Sequence, residues 1–371
     1  MAPESAAPTP ATLSPRPPAK PTRFLFLEVA PLTRRRIDQF KANRRGFVSL
    51  LLFLLVFVSS WFAEFVANDK PLYIGLDGKH YFPVVRFYSE REFGGLFPTQ
   101  PDYLETYFAN LIADQGGRMI WPPIRFHHST VDKQLPPGVA APAPPSSRHP
   151  LGTDEGARDV LARLLYGIRE SVIFALVLTA FSSMIGITVG AVQGYYGGLI
   201  DLLGQRVIEI WYSLPFLFIV IIIASIIKPS LVILVAVLLF FRWTALVGLV
   251  RAEFLRVRNF EYVKAARALG VVDRVIIFRH ALPNAMVSTI TYLPFIMSAS
   301  LVSLTVLDFL GYGLPPENYA RLGELLNQGK NNINAPWLAF SSFFTIAMML
   351  MLLVFVGEAV RDAFDPRKII G

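Results

Sequence analysis

The sequence predicts an all-α membrane protein with six transmembrane helices, both termini cytoplasmic, and a long external segment between spans one and two. Three observations predict it. Only 17% of the 371 residues are charged and 53% are hydrophobic, whereas an ordinary soluble domain carries about 25% charged residues. Several apolar stretches reach the roughly 20 residues that a helix rising 1.5 Å per residue needs to cross the hydrocarbon core. Basic residues collect in alternate connections, as the positive-inside rule requires. With that distribution, the net charge of +8 reads as topology and gives no support to nucleic-acid binding. The chain has no cysteine, which excludes disulfides, thiolate catalysis and Cys-ligated metals.

Residues 1–46 are expected to be a disordered, basic, cytoplasmic N-terminus. The first 22 are rich in Pro, Ala and Ser and cannot bury apolar surface. The approach to the membrane, "RRRIDQFKANRR", places this end in the cytoplasm. The first span is 47–66, "FVSLLLFLLVFVSSWFAEFV", read as retained and not as a cleaved signal because 46 residues precede it and no A-x-A site follows. Residues 67–165 form the external segment, with ten basic and eleven acidic residues and a Pro-rich connector over 134–150 that excludes regular helix or sheet. Residues 166–358 hold the other five spans. Three are the charge-free stretches 171–200, 281–307 and 331–357, and two are 210–227 and 231–250. Their length excludes strands, which stop after about 5–8 residues. Six crossings return the tail, 359–371, to the cytoplasm.

Between spans four and five, residues 251–281 carry seven Lys or Arg against three acidic residues, as a cytoplasmic loop should. Inside it, "EYVKAARALG" (261–270) reads as a soluble helix. Asn259 is the expected N-cap, Glu261 favours the positive end of the helix dipole, and Gly270 suits a left-handed C′ stop. Phe260, Val263, Ala266 and Leu269 recur every three residues on one side, with Glu261, Lys264 and Arg267 on the opposite side. Asp273 is the expected cap of the next helix, which runs into span five at Pro283. Two readings are open: a helix lying on the anionic inner leaflet, or a helix that docks in a groove of a cytoplasmic partner.

The stretch resembles the EAA loop of permease subunits in ATP-binding-cassette importers, closest to the dipeptide and oligopeptide branch. That pattern is E-A-A, three residues, Gly, nine residues, Ile, one residue, Leu-Pro. The chain matches at Ala265, Ala266, Gly270, Leu282 and Pro283, and departs at Lys264 and His280. The "AARALG…RHALPN" form is usual in the peptide branch. Over 151–371 the segments "LGTDEGARDVLARLLYGIRESV", "LDFLGYGLPP", "APWLAF" and "RDAFDPRK" are similar to that branch. The front part, with "ANDKPL", "YFP" and "PIRF", most resembles Yej-type importers of microcin C and peptides. The resemblance implies a type I importer permease fold in the bacterial inner membrane. It implies alternating access for peptides, with Glu261, Lys264, Ala265, Ala266, Arg267, Gly270, Leu282 and Pro283 coupling the chain to a cytoplasmic ATPase. It further implies a second permease subunit forming a heterodimer, a periplasmic peptide-binding protein, and ATP and Mg used by the ATPase. No cofactor is expected on this chain. It has no G-x-x-x-x-G-K-[ST] phosphate loop, and "NQGKNN" (327–332) lacks both the leading Gly and the Ser or Thr. No catalytic or metal-binding residues are expected.

Other candidates concern the path and gate. Arg242 falls eleven residues into span four, where a charge costs roughly 2.5–3.5 kcal/mol on insertion scales. It either lines the path, meeting a substrate carboxylate, or snorkels or pairs with another helix. Glu209 follows Arg206 by three residues and reads as an i, i+3 pair, ahead of Pro215, which should kink span three. Asp308 closes span five, as a gate or receptor contact or as a cap of the next turn. His127, His128, His80 and His149 suggest an external metal site, but adjacent histidines point different ways and no carboxylate stands at ligand spacing. Gly197–Gly198 reads as a turn after span two, and Gly186-x-x-x-Gly190 as a close helix contact. An ion-coupled secondary transporter or channel is the alternative, and it requires ionisable relays and inverted repeats. Only Arg242 is clearly internal, and no repeat is evident. An external enzyme built on 67–165 lacks any Ser-His-Asp or metal-ligand constellation.

Overall fold

The computed structural model describes residues 22–24, 27–29 and 31–365. The disorder expected before Thr22 and the end of the tail, 366–371, lie outside the described residues. Elsewhere in 1–46 the expectation is corrected. Strands β1 (Thr22–Phe24) and β2 (Leu27–Val29) pair antiparallel, and Pro31–Ala42 is a helix, α1. Its residues Arg36, Ile37, Gln39 and Phe40 are half-buried at helical spacing. The stretch read only as basic is therefore amphipathic as well. α1 packs on the C-terminal helix α14 (Pro336–Phe364), with the Arg36 guanidinium 4.5 Å from the centre of the Phe364 ring. α1 and the last turn of α14 thus meet.

α2 (Arg44–Trp61) is the first candidate span, capped by the Asn43 side chain, which accepts from the Gly46 amide at 3.2 Å. It starts before and ends sooner than expected, because Phe62 breaks it before a short turn of helix, α3 (Ala63–Val66). The segment that follows holds a three-stranded antiparallel sheet in the order β4-β3-β5 (β3 Tyr73–Leu76, β4 Lys79–Tyr81, β5 Arg118–Ile120) and a helix, α4 (Thr106–Asp114). Its core is a knot of aromatic and aliphatic side chains, Ile74, Tyr81, Phe93, Phe108 and Ile112. The connector 134–150 has neither helix nor strand, as its prolines require.

α5 (Val160–Tyr196) begins eleven residues before the charge-free stretch and inside the expected external segment. Its 37 residues span roughly 55 Å, well beyond a 30 Å hydrocarbon core. The charges Arg163, Arg169 and Glu170 lie on that early part, which is why a charge-free criterion missed it. α5 is the central element and packs against α2, α6 (Gly198–Ser213), α8 (Leu231–Arg242), α9 (Val247–Val257), α12 (Leu282–Phe309) and α13 (Leu322–Asn331). Gly197 and Gly198 both take positive φ at the corner after α5, a conformation that glycine adopts without a Cβ penalty. α6 and α7 (Phe216–Ile226) meet at a 68° bend, with Pro215 at the corner where its missing N–H breaks the helix. Among the described residues, five helices are long and apolar enough to cross a membrane, or six if this bent pair counts as one span.

After α9 come the short helices α10 (Glu261–Ala268) and α11 (Asp273–Val275). A π-helical turn, Ile276–Ala281, then leads into α12. Pro283 stands at the start of α12, and the wider turn before it accommodates a residue that has no N–H to donate. One core joins α2, α5, α12, α13 and α14 through Phe53, Val172, Leu301, Leu325 and Leu353. A second joins the end of α5 to α9 and the 260–285 region through Tyr195, Phe254, Val263, Ile277 and Ala285.

Candidate coupling surface

α10 is held from one side only. Val263 is fully buried against the second core, and Ala266 is half-buried beside it. The N-cap position belongs to Phe260, not Asn259. The Asn259 amide turns back to donate to the Leu255 carbonyl at 3.1 Å. The C-terminal end follows the expectation closely. Gly270 takes φ +77°, its amide donates to the Arg267 carbonyl at 3.0 Å, and the Val271 amide reaches the Ala266 carbonyl at 3.1 Å. These two bonds form a Schellman closure, with Val271 and Ala266 against the same core. Asp273 is not a cap either. It is the first residue of α11 and accepts a hydrogen bond from the Tyr195 hydroxyl at 2.5 Å.

Tyr195 ties this loop to the end of α5. The Arg267 guanidinium lies 5.0 Å from the centre of the Tyr195 ring, a cation–π separation. Arg267 is thus engaged within the chain as well as facing outward. Asn284, in the "LPN" that follows the loop, donates to the Tyr262 hydroxyl at 3.0 Å. Leu282 is half-buried against the core and Pro283 is exposed. Ala265, Glu261 and Lys264 are exposed, the last two as an open i, i+3 pair at 3.7 Å. The expected coupling residues therefore gather on one short, capped loop, but they do not form one face.

The expected stripe is corrected. A strict three-residue repeat drifts by about 60° per step on a helix of 3.6 residues per turn, so Phe260 and Leu269 face opposite ways. Leu269 is 83% exposed and Val272 68% exposed. These two are the most exposed large apolar side chains of the loop; Val272 is not among the expected contact residues, and Leu269 is expected on the same side as Val263, which is buried. Their exposure on a membrane protein's polar loop was the signal available, masked by the assumed stripe.

Arg242, Glu209 and Asp308 are not brought together. The Arg242 guanidinium donates to the Ser303 hydroxyl of α12, which is the helix-pairing reading. Glu209 pairs with Arg206 on an exposed surface. Asp308 is buried and accepts the Leu314 amide at 3.2 Å, capping the turn after α12. An ion pair that the sequence did not suggest joins Asp201 of α6 to Arg251 of α9 through two bonds. At the other end of α5, Arg163 binds both Asp154 and Glu324, with Arg158 and Arg321 also on Glu324. Burial pushes the Glu324 carboxyl up, but Arg163 and Arg321 outweigh it and hold it below its ordinary value.

The histidines also depart from expectation. His127 and His128 do not point apart: their rings are 4.1 Å centre to centre, and both pack on Tyr166. Among the described residues no cluster could hold a metal. Burial, reinforced by His127 and nearby arginines, pushes His128 down to about 3. His149 is buried between two carboxylates, with Nδ1 2.8 Å from Asp159 and Nε2 3.0 Å from Asp132. Asp159 in turn caps α5, accepting the Ala162 amide at 2.7 Å. Burial opposes charge on His149, but the bonds to Asp159 and Asp132 prevail and raise its pKa. A histidine with a raised folded pKa adds stability that is full below the unfolded value, near 6.5, and lost as pH rises through the folded value. Accordingly, the stability deficit of His149→Gln relative to wild type should be largest near pH 6 and shrink in more alkaline buffer. Thermal unfolding of both proteins across that range checks it. His128 has the opposite sign, so His128→Gln should reduce the loss of stability as pH falls below the unfolded value.

A family model, the binding-protein-dependent transport system inner membrane component, matches residues 183–370. The peptidoglycan transport system permease protein YejE of Agrobacterium fabrum is 52% identical over 94% of this chain and 96% of its own length. The inner membrane ABC transporter permease protein YejE of Escherichia coli is 50% identical over 92% and 99%. The dipeptide transport system permease protein DppC of Bacillus subtilis is 33% identical over 65% and 74%. With a multi-span helical fold, a capped polar loop between its fourth and fifth spans, and relatives that match nearly its whole length, the chain belongs to the family of binding-protein-dependent transport system inner membrane components, the permease subunits of ABC importers.

Proposed function

We propose that the chain is the non-catalytic membrane subunit of an importer that moves peptides from periplasm to cytoplasm across the bacterial inner membrane by alternating access. The observation that carries this reading is the 260–283 loop. A rigid, doubly closed helix is fastened to α5 through Tyr195 and to α12 through Asn284, yet leaves Leu269 and Val272 uncovered. Such a piece is built to be pushed: a partner seated on it moves α5 and α12 together. The partner is a separate ATPase that binds ATP and Mg, and no cofactor sits on this chain. Loop 251–281 and both termini are cytoplasmic, and the contact of α1 with α14 supports termini on one side. A second permease completes a heterodimer, and a periplasmic binding protein delivers the substrate to the opposite face. The names of the relatives, peptidoglycan and dipeptide transport among them, support peptides as substrate, and the resemblance of the front segment extends the proposal to microcin C-like peptides.

The test is Leu269→Asp, with Gly270→Asp beside it, in the chain assembled with its ATPase and second permease in liposomes. A charge on an apolar contact should weaken ATPase association about tenfold and reduce peptide uptake in step, while the unfolding temperature of the Leu269 variant stays at the wild-type value. Normal uptake and normal ATPase retention in both variants overturn the reading.

A further inference from the structure

We infer that α6 forms one wall of a water-filled path that opens to the cytoplasm and rises to the Pro215 bend, the route by which the peptide leaves the membrane. The inference rests on the peptide reading above and deepens it. Two contacts fix the height of α6. Near its start Asp201 is paired with Arg251 of α9, where the apolar stretch 231–250 gives way to the basic loop. Near its end the Trp211 indole N–H donates to the Phe240 carbonyl of α8 at 2.6 Å, and its ring lies 5.9 Å from that of Trp243. α6 therefore climbs beside α8 and α9 from the cytoplasmic edge. The stretch from Asp201 to Trp211 rises roughly 15 Å, about half of a 30 Å hydrocarbon core.

A charge on that climb is costly where it faces lipid. Yet Arg206 and Glu209 stand on it, paired at 2.5 Å, with side chains 67% and 59% exposed. At about 100° per residue, Arg206, Glu209, Tyr212 and Ser213, all exposed, share one side of the helix. Leu199, Leu203, Val207 and Ile210, exposed as well, share the adjoining side. Leu202, exposed on the polar line, lies a turn below Arg206. Lipid accounts for the apolar side and not for the polar one. A guanidinium offers five N–H donors, and among the described residues Arg206 has Glu209 as its hydrogen-bond partner, so its other donors need water. A dry contact with a second subunit meets the same objection, because charges taken out of water are costly unless fully bonded. Beyond the bend the polar side ends, since α7 carries no charge, which puts the top of the path at Pro215.

The experiment exploits the absence of cysteine from the chain. Single cysteines replace Glu209, Ser213, Ile210 or Leu55, the last two being equally exposed apolar positions on α6 and α2. Each variant is assembled with its ATPase and second permease in inside-out vesicles loaded with binding protein and trialanine. A charged, membrane-impermeant methanethiosulfonate is added outside, and labelling of this chain is read by gel shift. A thiol in water should label at least tenfold faster than one in lipid, so Glu209→Cys and Ser213→Cys should outpace Ile210→Cys and Leu55→Cys. Label at Ser213 should also stop ATP-driven release of trialanine. Ser213→Cys exchanges a hydroxyl for a thiol, and so keeps the test open if Glu209→Cys, which strands Arg206, fails to fold. Ser213→Cys as inert as Ile210→Cys in the assembled complex overturns the inference, and so does fast labelling only in the chain without its second permease, which marks a subunit contact. Fast labelling that leaves trialanine release unchanged overturns it as well. Fast labelling at Ser213 in a complex that carries no trialanine even unlabelled upholds the water-filled face and defeats the peptide reading instead. Trialanine release with Ser213→Cys inert does the reverse.

Discussion

Arg163→Met should cost about 3 kcal/mol, the low end for removing one member of a buried ion pair. Arg163 is 1% exposed and bonds through its two terminal nitrogens to Asp154, which is fully buried, and to Glu324. Removing the guanidinium leaves Asp154 with Arg158 as its remaining cationic partner, 2.8 Å away, and removes the strongest ionic tie between Glu324 of α13 and the start of α5. The loss belongs mainly to the carboxylates left behind, not to the net worth of the pair, because desolvation offsets most of the attraction in a buried bridge. A partial rescue follows. Asp154→Asn removes the stranded charge and keeps an oxygen for the Gly156 and Arg158 amides, which now donate to Asp154 at 2.8 and 2.9 Å. The Arg163→Met, Asp154→Asn pair should therefore recover a substantial part of the unfolding temperature lost by Arg163→Met. Equal loss in the single and double variants would show that the network is not what holds this junction.

The second large effect is steric. Gly186, Gly190 and Gly194 form a notch along α5, one residue per helical turn. A Cβ added at Gly190 would stand 2.7 Å from the Val247 carbonyl oxygen, and one at Gly194 would stand 2.5 Å from the Arg251 carbonyl oxygen. At Gly186 the distance to the Trp243 oxygen is 2.5 Å. These are backbone atoms and cannot rotate away, so α5 must separate from α9 and, at Gly186, from the turn at Trp243–Leu246 that leads into it. In lipid, where helix association depends on close van der Waals packing, that separation forfeits the contact that holds them. Gly194→Val should cost roughly 3 kcal/mol, the upper part of the range for overpacking, and should disturb the core that supports α10. Gly248→Ala is the control on α9's own side, with nothing within 4 Å of the added carbon. A normal unfolding temperature and normal uptake for Gly194→Val would sink the argument.

Much of this was legible locally. The apolar lengths marked the spans, Pro215 marked the bend, Gly197–Gly198 marked the corner and Gly270 marked the end of α10, because each depends on a few adjacent residues. Arg206 and Glu209 were readable for the same reason, being one helical turn apart. The Gly186–Gly190 spacing announced a close contact, although only the structure shows that it continues to Gly194 and that α9 is the partner. Errors arose where a local rule had a competitor. A capping rule chose Asn259 and Asp273, yet Asn259 found the Leu255 carbonyl and Asp273 found Tyr195. A repeat of three looked like a face, but helical drift carries Leu269 away from Val263. A charge-free criterion began α5 too late, since Arg163 can lie in a helix when two carboxylates from other elements receive it. The small sheet and α1 were missed because short, mixed segments carry little periodicity until the chain folds back on them.

By itself, then, the sequence determined which stretches are apolar and long enough to cross a membrane, where the polar loop between them lies and where that loop's helix ends. These follow from transfer of side chains into lipid and from backbone sterics, which act residue by residue. Only the tertiary structure decided which charges meet, which apolar residues of the loop stay uncovered and which histidines are neutralised. Asp201 and Arg251, Arg163 and Glu324, and Tyr195 and Asp273 are far apart in the chain, and their interaction exists only after α5 has been packed among its neighbours.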